Sequence, residues 1–575
     1  MSKWLLALAG LWILVLSPLE GQAQTVGNCA PSTTSDTLDV ADVRAALYNN
    51  GGLFWQGSGN VYTVPKDGQA TSIFLTSLWF GGLVPDGSHR FVGSTYGPWD
   101  LWPGPLDASG NPPDDCADYD RMYSVYDADI RTYEAEGTLT DDLRNWPYHL
   151  GAPVVDGDGI EGNYNLAGGD RPHIYGEQSV WWVMNDVGNT KPWSQTPPIG
   201  LEVQVQAFAA QCGLLDGYRY PEVDEALSQT TYYHVTLIHK GQEALHDAYV
   251  GWYTDADLGY SSNDFIGTDT TRQMAYYYSG WWNEDSFEPG PWGYGHQQPA
   301  LGYLLARGVD VDHDERDNNR NGQIDEADER LPVTNTLWTT AAFGISPAIS
   351  TIQVYWAMQS RFRDGTPLTL GRSGYGGDTL TTFMFPGDPL DDAYWSERNL
   401  WGNVFESLSG DRHDFVLSSG PFDFAPGDTT SFVLAIPWAQ GEDAKGSLIK
   451  LRGRATIISD LLDQVMAYDA YSCTLPPEPE APNPDALGYY VLRQNYPEPF
   501  NQQTTIRYEV INTVPVQLHV YDLLGRRIRT LVDGVQDAGV YDVVFEAGDL
   551  PAGTYFYRLE AAGYVSITRR MVLQR

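Results

Sequence analysis

Residues 494–501 read Gln-Asn-Tyr-Pro-Glu-Pro-Phe-Asn and open a C-terminal segment in which short apolar runs are separated by turn residues. The runs are 504–510, 515–521, 527–531, 540–545, 553–559 and 566–573. The residues between them include Leu524-Gly525-Arg526, Asp537-Ala538-Gly539 and Leu550-Pro551-Ala552-Gly553. Glycine, proline and aspartate favour reversals of the chain. The pattern therefore predicts an Ig-like antiparallel β-sandwich at the C-terminus.

A proline-rich spacer separates this segment from the rest of the chain. Residues 476–484 read Pro-Pro-Glu-Pro-Glu-Ala-Pro-Asn-Pro, which favours an extended, semi-rigid linker. The charge also changes there, because residues 488–575 hold nine acids and nine arginines, a net of zero, whereas the whole chain carries −41. We predict a signal peptide (1–24), an acidic β-rich body (25–473) in which a further boundary could fall near residue 195, a linker (474–487) and a C-terminal domain (488–575).

The C-terminal motifs resemble those of a known family. They are Asn495-Tyr496-Pro497-Glu498-Pro499-Phe500-Asn501, Thr505-Ile506-Arg507-Tyr508, Val520-Tyr521-Asp522-Leu523-Leu524-Gly525-Arg526, Ala538-Gly539 and Leu550-Pro551-Ala552-Gly553-Thr554-Tyr555-Phe556-Tyr557. In this order they resemble the type A C-terminal sorting domain of type IX (Por) secretion substrates, with Glu498 where asparagine is commoner. The resemblance implies export by the type IX secretion machinery of a Bacteroidota-like bacterium, then removal of the tail with release or surface attachment.

The body more loosely resembles large secreted Bacteroidota proteins that carry the same tail. The similar segments are 151–156, 169–172 and 252–259. This second resemblance implies no particular activity.

The N-terminus and the composition bound the class of protein. Lys3, the apolar run 4–16 and the polar residues 21–24 are typical of a cleavable secretory signal, after which we expect no transmembrane segment. The net charge of −41 argues against nucleic acid and anionic membranes as partners, because both would repel the protein. High Trp, Tyr, Gly and Pro contents favour short strands and turns. We predict a mostly β, multidomain protein with an antiparallel β-sandwich body.

Several stretches of the body predict individual elements. A short helix is expected at 40–48 and a long helix at 443–471, where Leu448, Leu451, Ala455, Ile458, Leu462 and Val465 form an apolar stripe. Residues 201–207 alternate apolar and polar side chains, as in a half-buried strand. Residues 230–238 and 248–253 bracket a polar turn and predict a hairpin. Further strands are expected at 72–80, 350–358, 414–417 and 430–436.

Four cysteines remain after export: Cys29, Cys116, Cys212 and Cys473. An oxidising compartment allows three pairings. We favour Cys29 with Cys473 and Cys116 with Cys212, the first of which would close a long loop. The wide spacing argues against metal binding or redox catalysis by these residues.

Residues 317–328 have the residue types and spacing of a calcium loop. Calcium prefers six to eight oxygen ligands, and a glycine at the sixth position permits the sharp bend. The predicted ligands are Asp317, Asn319, Asn321, the carbonyl of Gln323, Asp325 and Asp328, with Gly322 at the bend. Asp328 stands where an EF-hand has glutamate. We predict a structural calcium site without flanking sensor helices; the alternative is a solvated acidic turn.

Other acidic residues could also bind cations. Asp310, Asp312 and Asp314 could add ligands to the loop. Residues 156–161 with Asp170 form one further cluster, and Asp255, Asp257, Asn263, Asp264 and Asp269 form another. Both are equally consistent with ordinary turns, because Asp and Gly are common turn residues.

Catalytic motifs are missing from the sequence. It contains no G-x-S-x-G, H-E-x-x-H or G-x-x-x-x-G-K pattern. His234 and His239 lie on a predicted strand at an odd separation, which places them on opposite faces. Trp181-Trp182, Trp281-Trp282, Trp292 and Tyr276-Tyr277-Tyr278 could form a sugar-stacking platform, but core packing is favoured.

These observations favour a secreted or cell-surface structural or binding protein over an enzyme. Its expected work is adhesion or the capture of a cell-surface glycan or polysaccharide. The alternative is a secreted hydrolase of polysaccharide or protein, whose acidic catalytic residues the sequence does not identify.

Overall fold

The computed structural model describes residues 26–55, 62–211, 214–215, 218–219, 221–259, 264–279, 293–295, 297–311, 329–339, 350–400, 414–467, 491–492, 495–497, 500–510, 513–521, 526–537, 539–548, 550–561 and 565–574. The chain divides into two compact units, Met1–Cys473 and Thr474–Arg575. The predicted signal peptide and linker, at 1–24 and 474–487, lie outside the described residues.

The first unit contains most of the regular elements. Its strands are β1 (Ser35–Leu38), β2 (Arg44–Tyr48), β3 (Gly52–Leu53), β4 (Tyr62–Thr63), β5 (Leu75–Leu83), β6 (His89–Val92), β7 (Trp102–Pro103), β8 (Tyr123–Tyr126), β9 (Val154–Val155), β10 (Arg171–Pro172), β11 (Gln178–Asn185), β12 (Leu201–Ala209), β13 (Leu214–Leu215), β14 (Tyr218–Arg219), β15 (Thr230–His239), β16 (Leu245–Asp255), β17 (Asp264–Asp269), β18 (Met274–Ser279), β19 (Pro299–Arg307), β20 (Val309–Asp310), β21 (Arg330–Leu331), β22 (Asn335–Thr339), β23 (Asp414–Phe424) and β24 (Thr429–Gln440). Its helices are α1 (Asp127–Glu136), α2 (Asp141–Arg144), α3 (Pro221–Ser228), α4 (Thr351–Met358) and α5 (Ala444–Met466).

Two large antiparallel sheets form the body. Sheet I has the order β1-β2-β3-β5-β16-β23-β22, with β4 beside β2 and β6 beside β5. Sheet II has the order β17-β18-β19-β24-β15-β12-β11-β7, with β8 beside β11. The protein is therefore mostly β and antiparallel, as predicted. Position 195 falls between β11 and β12, which pair directly, so both sides of that position belong to one unit.

The main core lies between the two sheets. Aromatic rings from opposite sheets meet there: Tyr277 of sheet II stacks on Phe415 of sheet I with ring centroids 5.0 Å apart. The buried hydroxyl of Tyr303 in sheet II accepts a hydrogen bond of 2.5 Å from the hydroxyl of Thr254 in sheet I. Large aromatic side chains fill such an interior because each removes a large apolar area from water.

The long helix α5 covers part of the other face of sheet II. All six residues of the predicted apolar stripe are buried and share a cluster with Tyr232, Tyr276 and Val433. Asp443 caps the helix, since its carboxylate accepts the N–H of Gly446 at 2.7 Å. The prediction of a helix lying against a sheet is confirmed, with narrower bounds than expected.

A second layer covers the rest of that face and changes the environment of β12. Leu143, Trp146, Ala152, Ile174 and Trp181 form a buried cluster over β11 and its neighbours. As a result, eight of the nine residues of β12 are buried, including Glu202 and Gln206. We predicted that one face of the strand at 201–207 is exposed to solvent. This prediction was wrong, because the polar face of the strand lies beneath another layer of the protein.

Two segments were predicted with the wrong type of secondary structure. Residues 40–48 contain β2 rather than a helix, and Val43, Ala45 and Leu47 are buried at the two-residue spacing of a strand. Conversely, the predicted strand at 350–358 is helix α4. Ser350 and Gln353 form a capping box at its start, a helix signal that the prediction missed.

The predicted hairpin at 230–253 does not form. Strand β15 pairs with β12 and β24 in sheet II, whereas β16 pairs with β5 and β23 in sheet I. The polar turn between them therefore connects the two sheets. A turn sequence fixes a reversal of direction but not which sheet receives the next strand.

The described disulfide also differs from the favoured pairing. Cys29 bonds to Cys116, with their Cα atoms 5.4 Å apart. This bond rules out the pairing of Cys29 with Cys473 and of Cys116 with Cys212. Cys212 and Cys473 lie outside the described residues.

The second unit is a small β-sandwich. Its strands are β25 (Val491–Leu492), β26 (Gln503–Val510), β27 (Val514–Tyr521), β28 (Arg527–Gln536), β29 (Gly539–Glu546), β30 (Gly553–Ala561) and β31 (Val565–Leu573). They form sheets of order β25-β26-β29 and β28-β27-β30-β31 around a core that includes Ile506, Leu518 and Tyr557. The predicted Ig-like sandwich is confirmed.

Among the described residues of the whole chain, no helix has both the length and the apolar character needed to cross a membrane.

Candidate functional site

The loop of residues 156–170 is closed at its base by a two-stranded ribbon. Val155 pairs with Arg171, and Val154 pairs with Pro172, so the loop begins and ends at adjacent positions. Tyr164 and Leu166 pack on the buried cluster over β11. The loop is therefore attached to sheet II by apolar contacts.

Three carboxylates converge within this loop. Candidate ligand oxygens of Asp156, Asp158 and Asp170 lie within 4.8 Å of one another. Asp156 is exposed, Asp158 is half-buried and Asp170 is buried. Carboxylate oxygens at this spacing suit a hard cation such as calcium.

Backbone N–H groups of the loop donate to Asp156 and Asp170. Asp170 accepts hydrogen bonds from the backbone N–H groups of Gly157 (3.0 Å), Asp158 (3.3 Å) and Asn165 (2.6 Å). Asp156 accepts from the N–H groups of Asp158 (3.1 Å) and Gly159 (2.6 Å). These bonds orient the oxygens but bring no positive charge to the cluster.

Asp158 is held by two asparagine side chains. Asn165 and Asn163 donate to its Oδ2 at 3.0 and 3.1 Å. These two hydrogen bonds lower the pKa of Asp158 below its usual value, since they stabilise the charged form. The carboxylate therefore stays ionised at neutral pH, which is the state a cation would bind.

Glycine permits the close approach of the two ends of the loop. A Cβ atom on Gly157 would lie 2.1 Å from the carbonyl oxygen of Gly169. Gly169 itself has a φ of +104°, which disfavours other residues. Without both glycines, Asp170 could not come back against the start of the loop.

Aromatic side chains lie next to this loop. Tyr164 stacks on Tyr148 with ring centroids 5.8 Å apart, and Tyr148 is 38% exposed. Burial, with a further contribution from Asp170, raises the pKa of the Tyr164 hydroxyl. The carboxylate group and a partly exposed aromatic pair thus share one region of the surface.

The first predicted calcium site lies outside the described residues. Its ligands, Asp317, Asn319, Asn321, Gln323, Asp325 and Asp328, all fall between 312 and 328. The chain on either side is described: β20 pairs with β21, and the N–H of Val311 donates to the carbonyl of Glu329 at 3.1 Å. Asp310, considered as an extra ligand, instead pairs with Arg330 at 3.2 Å.

The other predicted acidic cluster does not assemble as a whole. Asp264 and Asp269 stand at opposite ends of β17, and Asp269 pairs with Arg272 at 2.8 Å. Asp264 accepts the N–H of Leu258 at 2.9 Å. Asn263 lies outside the described residues. The sequence predicted one site from acids that lie near one another along the chain. In the structure, strand β17 separates Asp264 from Asp269.

Asp255 and Asp414 form a pair that the sequence did not suggest. They are direct partners on β16 and β23. Tyr96 donates to Asp255 at 2.8 Å, and Tyr253 donates to Asp414 at 2.6 Å. Asp255 is fully buried, whereas Asp414 is half-buried.

The sequence-predicted aromatic platform is part of the core where it is described. Trp181, Trp182 and Tyr276-Tyr277-Tyr278 are all buried, which confirms the preference for packing. Trp281, Trp282 and Trp292 lie outside the described residues. The two strand histidines contact different surroundings, as expected: His234 lies beside the ring of Tyr175, and His239 Nε2 is 2.9 Å from the carbonyl of Glu243.

Exposed aromatic residues occur elsewhere, in residues 360–400. Tyr375 and Tyr394 are 50% and 52% exposed. Trp395, which directly follows Tyr394, is buried. The exposure of Tyr375 and Tyr394 could not be predicted from the sequence, because single tyrosines in glycine-rich segments do not differ in pattern from core tyrosines.

Comparisons with known proteins concern mainly the C-terminal unit. Residues 494–574 match the family model of the secretion system C-terminal sorting domain. No curated protein matches the chain.

Solved structures resemble the chain only distantly. A polysaccharide lyase aligns at 9% identity over 73% of this chain and 38% of its own, with a TM-score of 0.20. Dimeric latent PorU from Porphyromonas gingivalis aligns at 9% identity over 73% of this chain and 33% of its own, with a TM-score of 0.14. The chain thus spans little more than a third of these proteins, and the likeness supports no conclusion about fold or activity.

The family match carries the assignment of the C-terminal unit. A sorting domain of this type interacts with the type IX secretion machinery, which delivers its substrates to the exterior or the outer surface of the cell. The small sandwich at the end of this chain is a C-terminal sorting domain, and the protein is a type IX secretion substrate.

Proposed function

We propose that the body of this protein is a calcium-stabilised binding module that captures glycans at the cell surface or in the medium. The observation that carries the calcium part is the convergence of Asp156, Asp158 and Asp170 within 4.8 Å. Three negative charges at this distance repel one another, and a divalent cation would offset that repulsion. The cation would fix the loop on sheet II.

The binding part of the proposal rests on the architecture of the body. Its two sheets enclose a continuous core, and Glu202, a buried acid of the described residues, is engaged in a structural contact with Lys240 at 2.6 Å. Capture of a ligand needs only an exposed face, whereas catalysis needs an open cleft with converging groups. Exposed aromatic side chains such as Tyr375 and Tyr394 are available for contact with a ligand.

Calcium titration of the full chain tests the stabilising role. We expect the unfolding midpoint to rise as calcium increases to the millimolar range, because a ligand that binds only the folded state stabilises it. Asp170→Asn should reduce this rise. Glu161→Gln is the matched control, since Glu161 is an exposed acid of the same loop outside the converging group.

Two results would contradict the proposal. An unfolding midpoint that does not change with calcium would remove the stabilising role. Failure of the full chain to bind any member of a glycan array would remove the capture role, independently of the calcium result.

A further inference from the structure

One outer face of the C-terminal sandwich carries exposed apolar side chains. The sheet β25-β26-β29 fixes which residues share this face, because directly opposed residues of paired strands point to the same side. Tyr496 is opposite Thr505, and Thr505 is opposite Val544, so these three residues form one row. Val540 lies on the same side of β29, four positions before Val544. We call Tyr496, Thr505, Val540 and Val544 the sorting face.

Burial confirms the orientation of the sorting face. Ile506 and Phe545, which alternate with its members along β26 and β29, are buried in the core of the sandwich. Tyr496, Val540 and Val544 are instead 82%, 52% and 53% exposed. A strand with one wet face usually alternates apolar and polar residues, and the two valines depart from that pattern. The packing of the sandwich therefore does not account for apolar side chains at these positions.

The ring of Tyr496 extends from a backbone that is held by its neighbours. The N–H of Tyr496 donates to the carbonyl of Thr505, and the N–H of Thr505 donates to the carbonyl of Tyr496, both at 2.9 Å. The preceding residue, Asn495, is buried and donates to the carbonyl of Pro497 at 3.1 Å. A side chain on a fixed backbone is partly organised for binding, which lowers the entropic cost when a partner arrives.

The outer face of the other sheet of this unit has a different character. Gln517 donates to Asp533 at 3.0 Å, and the guanidinium carbon of Arg558 lies 5.0 Å from the ring centroid of Tyr521. Val535, near the end of β28, is 68% exposed. Among the described residues of the unit, three of the four exposed large apolar side chains therefore belong to the sorting face. Such side chains mark an interaction site when they are grouped, whereas single ones are ordinary.

The charges around the sorting face limit the kind of partner. Arg507 and Asp542 lie in the row next to Thr505 and pair with each other through two hydrogen bonds of 2.7 Å. Glu509 and Glu546 stand near the two ends of the same pair of strands. Residues 503–510 and 539–546 contain no other lysine or arginine. These strands therefore offer no excess positive charge, and contact through them has to rely on apolar surface.

We propose that the sorting face is the surface through which this domain docks on the type IX secretion machinery, and that the machinery presents an apolar, uncharged protein surface to Tyr496 and Val544. All four residues fall within 494–574, the span that matches the sorting-domain family, whose members interact with that machinery. Protein interfaces place apolar and aromatic side chains at the centre and polar groups at the rim. The row from Tyr496 to Val544, with the Arg507–Asp542 pair beside it, has this arrangement. The inference concerns the sorting domain and is independent of glycan capture by the body.

Export of the full chain from a type IX-competent host tests the inference. Tyr496→Ala with Val544→Thr should reduce the amount of protein outside the cell at least about tenfold, and the retained chain should be recovered from the cells. Tyr496→Phe keeps the ring and should be exported normally. Val535→Thr is the matched control, because it changes an exposed valine of the other sheet, and it should also be exported normally.

Urea unfolding of the same full-length variants separates docking from stability. The replaced side chains are exposed, so the unfolding midpoint of each variant should match that of the unaltered chain. If Tyr496→Ala lowers the midpoint, Val540→Thr with Val544→Thr decides the question. Threonine keeps the branched shape of valine and makes the surface more polar, so this pair should reduce export without loss of stability.

Three results would overturn the inference. The first is normal export of both pairs of variants. The second is a loss of export in Val535→Thr as large as that in Tyr496→Ala with Val544→Thr, since docking would then not be confined to the sorting face. The third is a dimer of the full chain in sedimentation that the variants abolish while export is unchanged, which would make the sorting face an interface between copies of this protein.

Discussion

The backbone N–H of Asn495 donates a hydrogen bond of 2.8 Å to the hydroxyl of Tyr557, sixty-two positions later in the chain. The side chain of Asn495 is buried and donates from Nδ2 to Thr504 at 2.9 Å and to the carbonyl of Pro497 at 3.1 Å. Phe500 extends the contact, since its N–H donates to the carbonyl of Val572 at 3.0 Å. The first sorting motif is therefore part of the folded sandwich, attached to its last two strands.

Replacing Asn495 should destabilise the sorting domain. We expect Asn495→Ala to cost about 1 to 3 kcal/mol, because it leaves the buried hydroxyl of Thr504 without its donor and removes one of the two donors to the carbonyl of Pro497. Tyr557→Phe should cost less, about 1 kcal/mol. Urea unfolding of the full chain would measure the first loss, and secretion by a type IX-competent host would show whether export falls with it.

The control for this pair is Arg507→Gln. Arg507 and Asp542 form an ion pair of 2.7 Å with both side chains about half exposed. Exposed pairs contribute little, so stability and export should both be retained. Equal losses in Asn495→Ala and Arg507→Gln would contradict the structural role given to Asn495.

A buried ion pair in the body should be sensitive to loss of either partner. Lys191 Nζ lies 3.2 Å from Asp186 Oδ2, and both side chains are almost completely buried. Asp186 also accepts the backbone N–H groups of Ile199, Gly200 and Leu201. Lys191→Met should cost about 3 to 5 kcal/mol because it leaves a buried carboxylate without its counter-ion.

Chemical denaturation of the full chain would measure this cost. Arg144→Gln, which breaks an exposed pair with Asp141, should change stability by less than about 1 kcal/mol. Comparable effects of the two substitutions would mean that Asp186 is solvated in the folded protein.

His234 should make the body less stable in acid. Burial, with smaller contributions from Arg307 and His173, lowers the pKa of His234 from 6.5 to about 4. Because the unfolded chain then binds the proton more readily, stability is highest above about pH 6.5 and falls as the pH drops toward about 4. The full loss would be about 3 kcal/mol.

A pH series of unfolding free energies would test this prediction. His234→Gln should flatten the dependence between about pH 6.5 and 4, whereas His149→Gln, at an exposed histidine, should not. Parallel curves for His234→Gln and the unaltered chain would show that another group titrates in that window.

The disulfide should stabilise the N-terminal part of the body. Cys29 and Cys116 are separated by 87 positions, and closing a loop of this length is expected to contribute about 4.6 kcal/mol. We expect Cys29→Ser to lower stability by about 2 to 5 kcal/mol. Peptide mapping without reductant should recover the two cysteines in one crosslinked fragment, and recovery of Cys29 linked to any other cysteine would refute the pairing.

Calcium sites in the two acidic loops should be separable by mutation. Asp325→Asn with Asp328→Asn tests the loop at 312–328, and Asp156→Asn with Asp158→Asn tests the loop at 156–170. Each pair should remove part of the calcium-dependent rise in the unfolding midpoint if both loops bind the ion. A rise that survives one pair and disappears with the other assigns calcium to a single loop.

The sequence alone determined the sorting domain and the general fold class. The domain could be predicted because its motifs are local: each is a short strand or turn whose residue types fix its conformation, and their order is that of the family. The stripe from Leu448 to Val465 was equally predictable, since one face of one helix meets one sheet.

Only the tertiary structure decided which residues meet across the chain. The capping box at Ser350 and Gln353 could have been read locally, but the assignment of β15 and β16 to different sheets could not, because pairing partners such as Val433 lie far away in sequence. The same reason explains the pairing of Cys29 with Cys116. It also explains why Asp156, Asp158 and Asp170 converge while Asp264 and Asp269 are held apart by the strand between them.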